Sequence, residues 1–271
     1  FVFFIDSLEF IADSYTKNNL LPYLFEITKG AKNVQIIVSC LATDYNAFLK
    51  ITSQYQIQTY DVVEVSAGEL IRIAKKYPII QKLNTSSGYA QLLKSPLYIN
   101  LIISKITDFT NIKNENDFRE YVWENIICLN DSGAKAIIKK IVFSRAKDFL
   151  LHVSIDDFDS TKIAELVSAD VLLRKGSLVR LKLDVFEDIC FERYFDDEFN
   201  KCRGDYIKFF ATISTMGRCI YRRYQIWVSN KILSKDNRDA IINSLVFSDI
   251  TPDGWKKETM IGLVRSRFSR E

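Results

Sequence analysis

Apolar residues open the chain without a break, as Phe1, Val2, Phe3, Phe4 and Ile5 run directly into Asp6. A continuous apolar run of this kind predicts a strand buried on both faces, as in a parallel sheet covered by helices. Asp6 then stands at the carboxyl end of that strand, where open α/β sheets place their ligands. Glu9 follows in the turn leaving the strand. Asn18 predicts a helix cap for a helix from Asn19 to Lys29, with Pro22 in its first turn and Gly30 as its stop. Val34 to Ser39 predicts a second buried strand. Thr43 opens a helix carrying Phe48, Leu49 and Ile51, and Ile57 to Val65 predicts a third strand. Ser66 and Glu69 form a capping box that starts a helix through Lys76, ended by Pro78. Strands and helices alternating at this spacing predict parallel α/β layers.

After Pro78 the pattern turns mostly helical. A short helix is expected over Ser87 to Leu93. Ser95-Pro96 reads as a cap followed by proline at the first helical position, opening the apolar helix Leu97 to Thr107. The polar stretch Asn111 to Asn116 reads as a linker. Helices are expected over residues 116–130, 133–150 and 160–169. Val171 to Leu183 breaks the pattern and predicts a hairpin, with a turn at Lys175-Gly176-Ser177 and an alternating apolar and basic second strand. Helices followed by one hairpin suit a winged helix. Asp184 to Phe195, Asp205 to Lys231, Lys235 to Phe247 and Pro252 to Arg267 return to helix.

Composition narrows the class. The chain of 271 residues is 48% hydrophobic, enough for a sizeable core, and its net charge of +3 makes no strong case for nucleic acid or an anionic membrane. Its 9 glycines favour helices over a loop-rich or all-β protein. Five cysteines without a CxxC pair read as reduced, mostly buried thiols of a cytoplasmic protein. No apolar run approaches a membrane span. The chain begins inside an apolar strand without a methionine, so further strands are expected upstream of it.

The order of these elements resembles that of the STAND NTPases, the signal-transducing P-loop ATPases that include the NACHT and NB-ARC families. The acid-ended first strand resembles a Walker B segment. Val34-Gln-Ile-Ile-Val-Ser-Cys is similar to the first-sensor strand. Tyr89-Ala-Gln-Leu-Leu-Lys-Ser-Pro-Leu-Tyr-Ile is similar to the Gly-Leu-Pro-Leu-type motif, and Leu178 to Tyr194 resembles the wing strand and following helix of their winged-helix domain. The resemblance covers residues 1–200. It implies the C-terminal part of a nucleotide-binding domain over 1–110, a helical and winged-helix domain over 111–200, and the start of a C-terminal helical sensor domain over 201–271. It implies that Asp6 lies under a magnesium ion, holding it through water, and that Glu9 activates the hydrolytic water. Ser39 would lie near the γ-phosphate and Pro96 against the adenine. Asp184 would approach the β-phosphate. ATP or ADP would be the ligand, with oligomerisation on activation, a trigger ligand at the C-terminal side, and a setting such as bacterial antiviral defence.

The chain departs from that family in four places, one of them Phe10, which stands where many relatives have another acid. No Gly-x-x-x-x-Gly-Lys-(Ser/Thr) occurs in it, so its phosphate-binding loop is expected upstream. Ser39 is followed by Cys40, Leu41 and Ala42 where an arginine is common, and Leu183 takes the place of the winged-helix histidine. Slow or regulatory hydrolysis is therefore the expectation. Two other classes stand beside it. One is a winged-helix DNA-binding regulator, to which Arg180 and Lys182 of the wing and the cluster Arg218, Arg222 and Arg223 among aromatics would contribute. The same basic residues also read as solvent-facing positions over an aromatic core stripe. The other class is a scaffold without nucleotide chemistry.

Overall fold

The computed structural model describes residues 1–5, 14–31, 33–40, 49–50, 57–60, 64–85, 89–90, 92–106, 109–110, 112–148, 150–232, 242–247, 249 and 251–266. The chain packs as two units, Phe1–Val63 and Glu64–Glu271.

In the first unit, β1 (Val2–Ile5) and β2 (Gln35–Val38) pair in parallel, with Val2 opposite Gln35 and Ile5 opposite Val38. Helix α1 (Ser14–Lys29) makes the crossover that parallel strands require. The alternation expected from the sequence is thus present, with three corrections. Among the described residues β1 has one neighbouring strand, β2, and Phe1, Val2, Phe3 and Phe4 are exposed rather than buried, because two strands cover little apolar area. α1 begins at Ser14 rather than Asn19, which leaves Pro22 inside the helix, unable to donate to the carbonyl of Asn18. Residues 57–60, 64 and 65 of the expected third strand are irregular. The Val65 N–H bonds instead to the carbonyl of Lys94. The helix expected from Thr43 falls largely outside the described residues, as do Asp6 and Glu9.

The second unit begins with α2 (Ala67–Lys76), capped by the predicted box: the Ser66 hydroxyl accepts from the Glu69 N–H, and the Glu69 carboxylate accepts from the Ser66 N–H. Pro78 ends α2 and opens α3 (Pro78–Asn84). The short helix expected over Ser87 to Leu93 lies partly outside the described residues; Leu92–Lys94 form a 3-10 turn. Ser95 caps α4 (Pro96–Lys105). α5 (Glu115–Tyr121) widens into a π-helical turn over Val122–Ile127. The chain then reverses through Leu129 and Asn130, both left-handed at φ +54°. Asn130 tolerates this, whereas Leu129 carries strain of about 1–2 kcal/mol. The N–H of Asn130 bonds to the Glu124 carbonyl, which pins the reversal.

Next come α6 (Ser132–Asp148), β3 (Val153–Ser154), α7 (Ser160–Ser168), β4 (Leu172–Lys175) and β5 (Leu178–Leu181). The expected hairpin forms, and β5 lies between β3 and β4 in an antiparallel sheet. Gly176, at φ +62°, takes the first position of the two-residue turn that this register demands. Val179 and Leu181 of β5 are buried.

α8 (Asp184–Cys202) runs well past the expected end at Phe195. The single helix expected over 205–231 is two, α9 (Tyr206–Ser214) and α10 (Tyr221–Lys231), separated by a turn in which Gly217 is left-handed. That break lets α9 fold back so that Phe199, Phe209 and Trp227 meet in one cluster. A π-helical turn (Ile242–Val246) and α11 (Asp253–Arg265) complete the unit. Phe195, Phe210, Tyr224 and Trp255 extend the aromatic core across all four helices. The buried Tyr224 hydroxyl pairs with Thr259 Oγ1 at 2.7 Å, and Thr259 donates to the Trp255 carbonyl. Gly262 lets α11 press against α10. A Cβ there would lie 2.9 Å from the Gln225 carbonyl oxygen and 3.0 Å from Val228 Cβ.

Two outcomes follow for stability. Gly262→Ala should destabilise the protein by about 1–3 kcal/mol through overpacking, read by chemical denaturation. Asp131 accepts from the Ala134 N–H at the start of α6 and from Lys162 of α7, which hold its carboxyl below the usual range. Its contribution is present above the unfolded carboxylate pKa and lost as pH falls through the depressed one. Asp131→Asn should therefore lower stability at pH 7 and leave it nearly unchanged in strong acid, a difference that denaturation at both pH values will measure.

Candidate functional site

The parallel register of the first unit fixes the end of β2. The Ser39 N–H bonds to the carbonyl of Ile5 at 2.9 Å, so the carboxyl ends of β1 and β2 are level. Asp6 is the next residue in the chain. Ser39 itself is half-buried. Pro96 and Asp184 belong to the second unit. Pro96 is exposed at the first position of α4, behind the Ser95 cap. Asp184 is exposed at the first position of α8, where Leu183 is the capping residue. Its carboxylate acts electrostatically on Arg145 of α6.

A polar network in the second unit lies along α8 and was not singled out from the sequence. Asp184, Asp188, Glu192 and Asp196 recur at four-residue spacing, which aligns them on one helix face, with Glu187 beside them. That spacing was the available signal. Cations from three other helices meet this row. Arg223 of α10 donates to Glu187 Oε2 at 3.0 Å and approaches Asp188 at 3.8 Å. Its guanidinium also lies over the Phe191 ring. Arg145 contacts the other oxygen of Glu187. Glu187 is only 4% exposed and is the one buried charged residue among those described. Arg119 of α5 donates to Glu192 at 3.1 Å and to Glu115 at 3.0 Å. Further along, Lys231 Nζ and Trp227 Nε1 both reach Asp196 at 2.7 Å.

This corrects the reading of Arg223 as a solvent-face arginine. Its side chain is turned inward because Glu187 and Phe191 together offer it a charge partner and a π face. The wing cations differ from expectation too. Lys182 pairs with Asp170, and Arg180 is half-buried near Arg145. The side chain of Arg218 lies outside the described ones.

The electrostatics are those of a packed junction. Burial lowers the pKa of Arg145, with Asp184 opposing that shift and Arg180 and Arg223 adding to it. Burial likewise pushes the Cys128 thiol up to about 12 and raises Cys190 further, so neither is a thiolate near neutral pH. Among the described residues, no group of His, Cys, Asp or Glu is placed to hold a metal, and no helix is long and apolar enough to cross a membrane.

No protein-family model matches the chain, and no curated protein matches it significantly.

Glu187→Ala should cost about 1.5–3 kcal/mol, because it removes the carboxylate shared by the half-buried Arg145 and Arg223, leaving them only the weaker attraction of Asp184 and Asp188. Replacing all three residues together, as Arg145→Met, Glu187→Leu and Arg223→Met, should recover most of that loss. Urea denaturation of the single and triple variants measures both effects.

Proposed function

We propose that this chain works as a nucleotide-dependent signalling switch of the STAND NTPase type, holding ATP or ADP and linking nucleotide state to self-association. The observation that carries this reading is the level ending of β1 and β2, with Ser39 bonded to the residue that precedes Asp6. A ligand at the carboxyl ends of parallel strands would meet both positions at once. Asp6 would hold magnesium through water, since a hard cation prefers oxygen ligands and keeps part of its hydration. Glu9 would activate the attacking water, and the Ser39 hydroxyl would reach the γ-phosphate. Pro96 offers an exposed, rigid surface without a backbone donor, suited to an adenine face. Asp184, with Arg145 beside it to offset its charge, would approach the β-phosphate side. Turnover would be slow and would depend on a phosphate-binding loop. The reading puts the protein in the cytoplasm, where its thiols stay reduced.

A DNA-binding role is less well supported. The outward positions of α7 are Ser160, Thr161, Ala164, Glu165 and Ser168, and Lys162 is tied to Asp131 and Glu165. This leaves little positive charge for a phosphate backbone.

The test is nucleotide content in the natural full-length protein. It would be purified and denatured, and the released nucleotide identified by chromatography, for wild type and Pro96→Arg. Because Pro96 is exposed at the first position of α4, where a backbone N–H has no partner within the helix, arginine there should leave the fold intact. Bound ADP or ATP is expected in wild type and should be lost in the variant. Wild-type protein that carries no nucleotide, and takes up none with ATP and magnesium, would sink the reading.

A further inference from the structure

Arg119 stands where four helices meet. Its guanidinium lies 5.7 Å from the ring centroid of Tyr98 on α4, two residues after Pro96. Tyr98 packs edge-on against Phe118, the residue before Arg119, with ring centroids 5.3 Å apart. On its other side Arg119 donates to Glu192 of α8 at 3.1 Å, while Nε and Nη2 are both taken by Glu115. The second oxygen of Glu192 accepts from Asn230 of α10 at 3.0 Å. The Arg119 and Glu192 side chains are 13% and 11% exposed, so water competes weakly for these bonds. A planar guanidinium with its donors engaged on two carboxylates has little freedom to rotate.

We propose that Arg119 is a mechanical relay, carrying a displacement of α4 at Pro96 and Tyr98 through Glu192 to Asn230 on α10. The inference rests on the nucleotide reading of Pro96, and it adds to it the residues through which occupancy reaches the C-terminal helices. Two features favour a relay over a simple brace. Arg119 is the joint between an aromatic stack on one side and charged hydrogen bonds on the other, so movement on either side must break or drag it. Glu192 uses its two oxygens on different helices, so a shift of Arg119 changes the balance at Asn230 directly. Coupling of this kind needs a contiguous physical network, and here each step is a named contact.

The experiment is hydrogen exchange over residues 221–231 in the natural full-length protein, with and without ADP, for wild type, Arg119→Met and Arg119→Lys. Arg119 does not touch the proposed adenine face, so ADP affinity should stay close to wild type. ADP should alter exchange in α10 of wild type, and in both variants this response should shrink at least ~fivefold, since lysine keeps the charge and loses the fork. If Arg119→Met folds poorly, Arg119→Met with Glu115→Gln and Glu192→Met removes both stranded carboxylates at the junction and should show the same lost response. A variant that binds ADP and responds as wild type does overturns the relay. So does wild-type protein that binds ADP without any change in α10. If wild type binds no nucleotide, the nucleotide reading fails, and the relay is decided by a thermal-unfolding cycle of Tyr98→Leu and Asn230→Ala. Tm shifts that are non-additive in wild type and additive in Arg119→Met support it, and additive shifts in wild type overturn it.

Discussion

One buried carboxylate governs how the second unit is assembled. Glu187 meets a guanidinium on each of its oxygens, Arg145 from α6 and Arg223 from α10. Two arginines brought this close would repel each other in a medium of low polarity, and the buried carboxylate between them offsets that repulsion. Such a cluster adds little net stability compared with an apolar plug of equal size. What it supplies is geometry, because the charges are satisfied in one arrangement of α6, α8 and α10 and stranded in others. The helical wall of the unit is therefore specified by charge at one point and by aromatic packing elsewhere.

α8 serves both purposes at once. Phe186, Ile189, Cys190, Phe191 and Phe195 are buried on one side of it, joining the core under α6 to the aromatic cluster of α9, α10 and α11. The row Asp184, Asp188, Glu192 and Asp196 faces the cations of three neighbouring helices. A helix that is apolar on one side and acidic on the other can bind a core and an electrostatic lattice along its whole length. In the proposed switch, that continuity is what would let an event at the Pro96 end of α4 reach the helices beyond residue 205.

Local chemistry was legible in the chain. The Ser66–Glu69 box, the Ser95-Pro96 helix start and the Gly176 turn all formed where the residues predicted them, because each depends on neighbours a few positions apart. The parallel pairing of β1 and β2 was legible from two apolar runs separated by a helix. Errors came where the outcome depended on distant partners. The run from Ile57 to Val65 has strand composition, yet the Val65 N–H is claimed by Lys94 and no partner strand lies beside its described residues. The helix expected across 205–231 has no proline to break it. It breaks at Gly217 because folding back buries Phe209 and Phe210 against Trp227 and Trp255.

The sequence by itself determined the layout of an α/β segment followed by helices and one hairpin, and most helix starts, since periodicity and capping act over a single turn. It also carried the acidic row on α8, visible as four-residue spacing. Only the tertiary structure decided that Glu187, beside that row, would be the buried acid and which arginines would meet it. Arg222 and Arg223 are adjacent and chemically identical, and only packing turned Arg223 onto Glu187 and the Phe191 face. Burial of a charge is a property of what surrounds it in space, and here the partners stand more than thirty residues away in the chain.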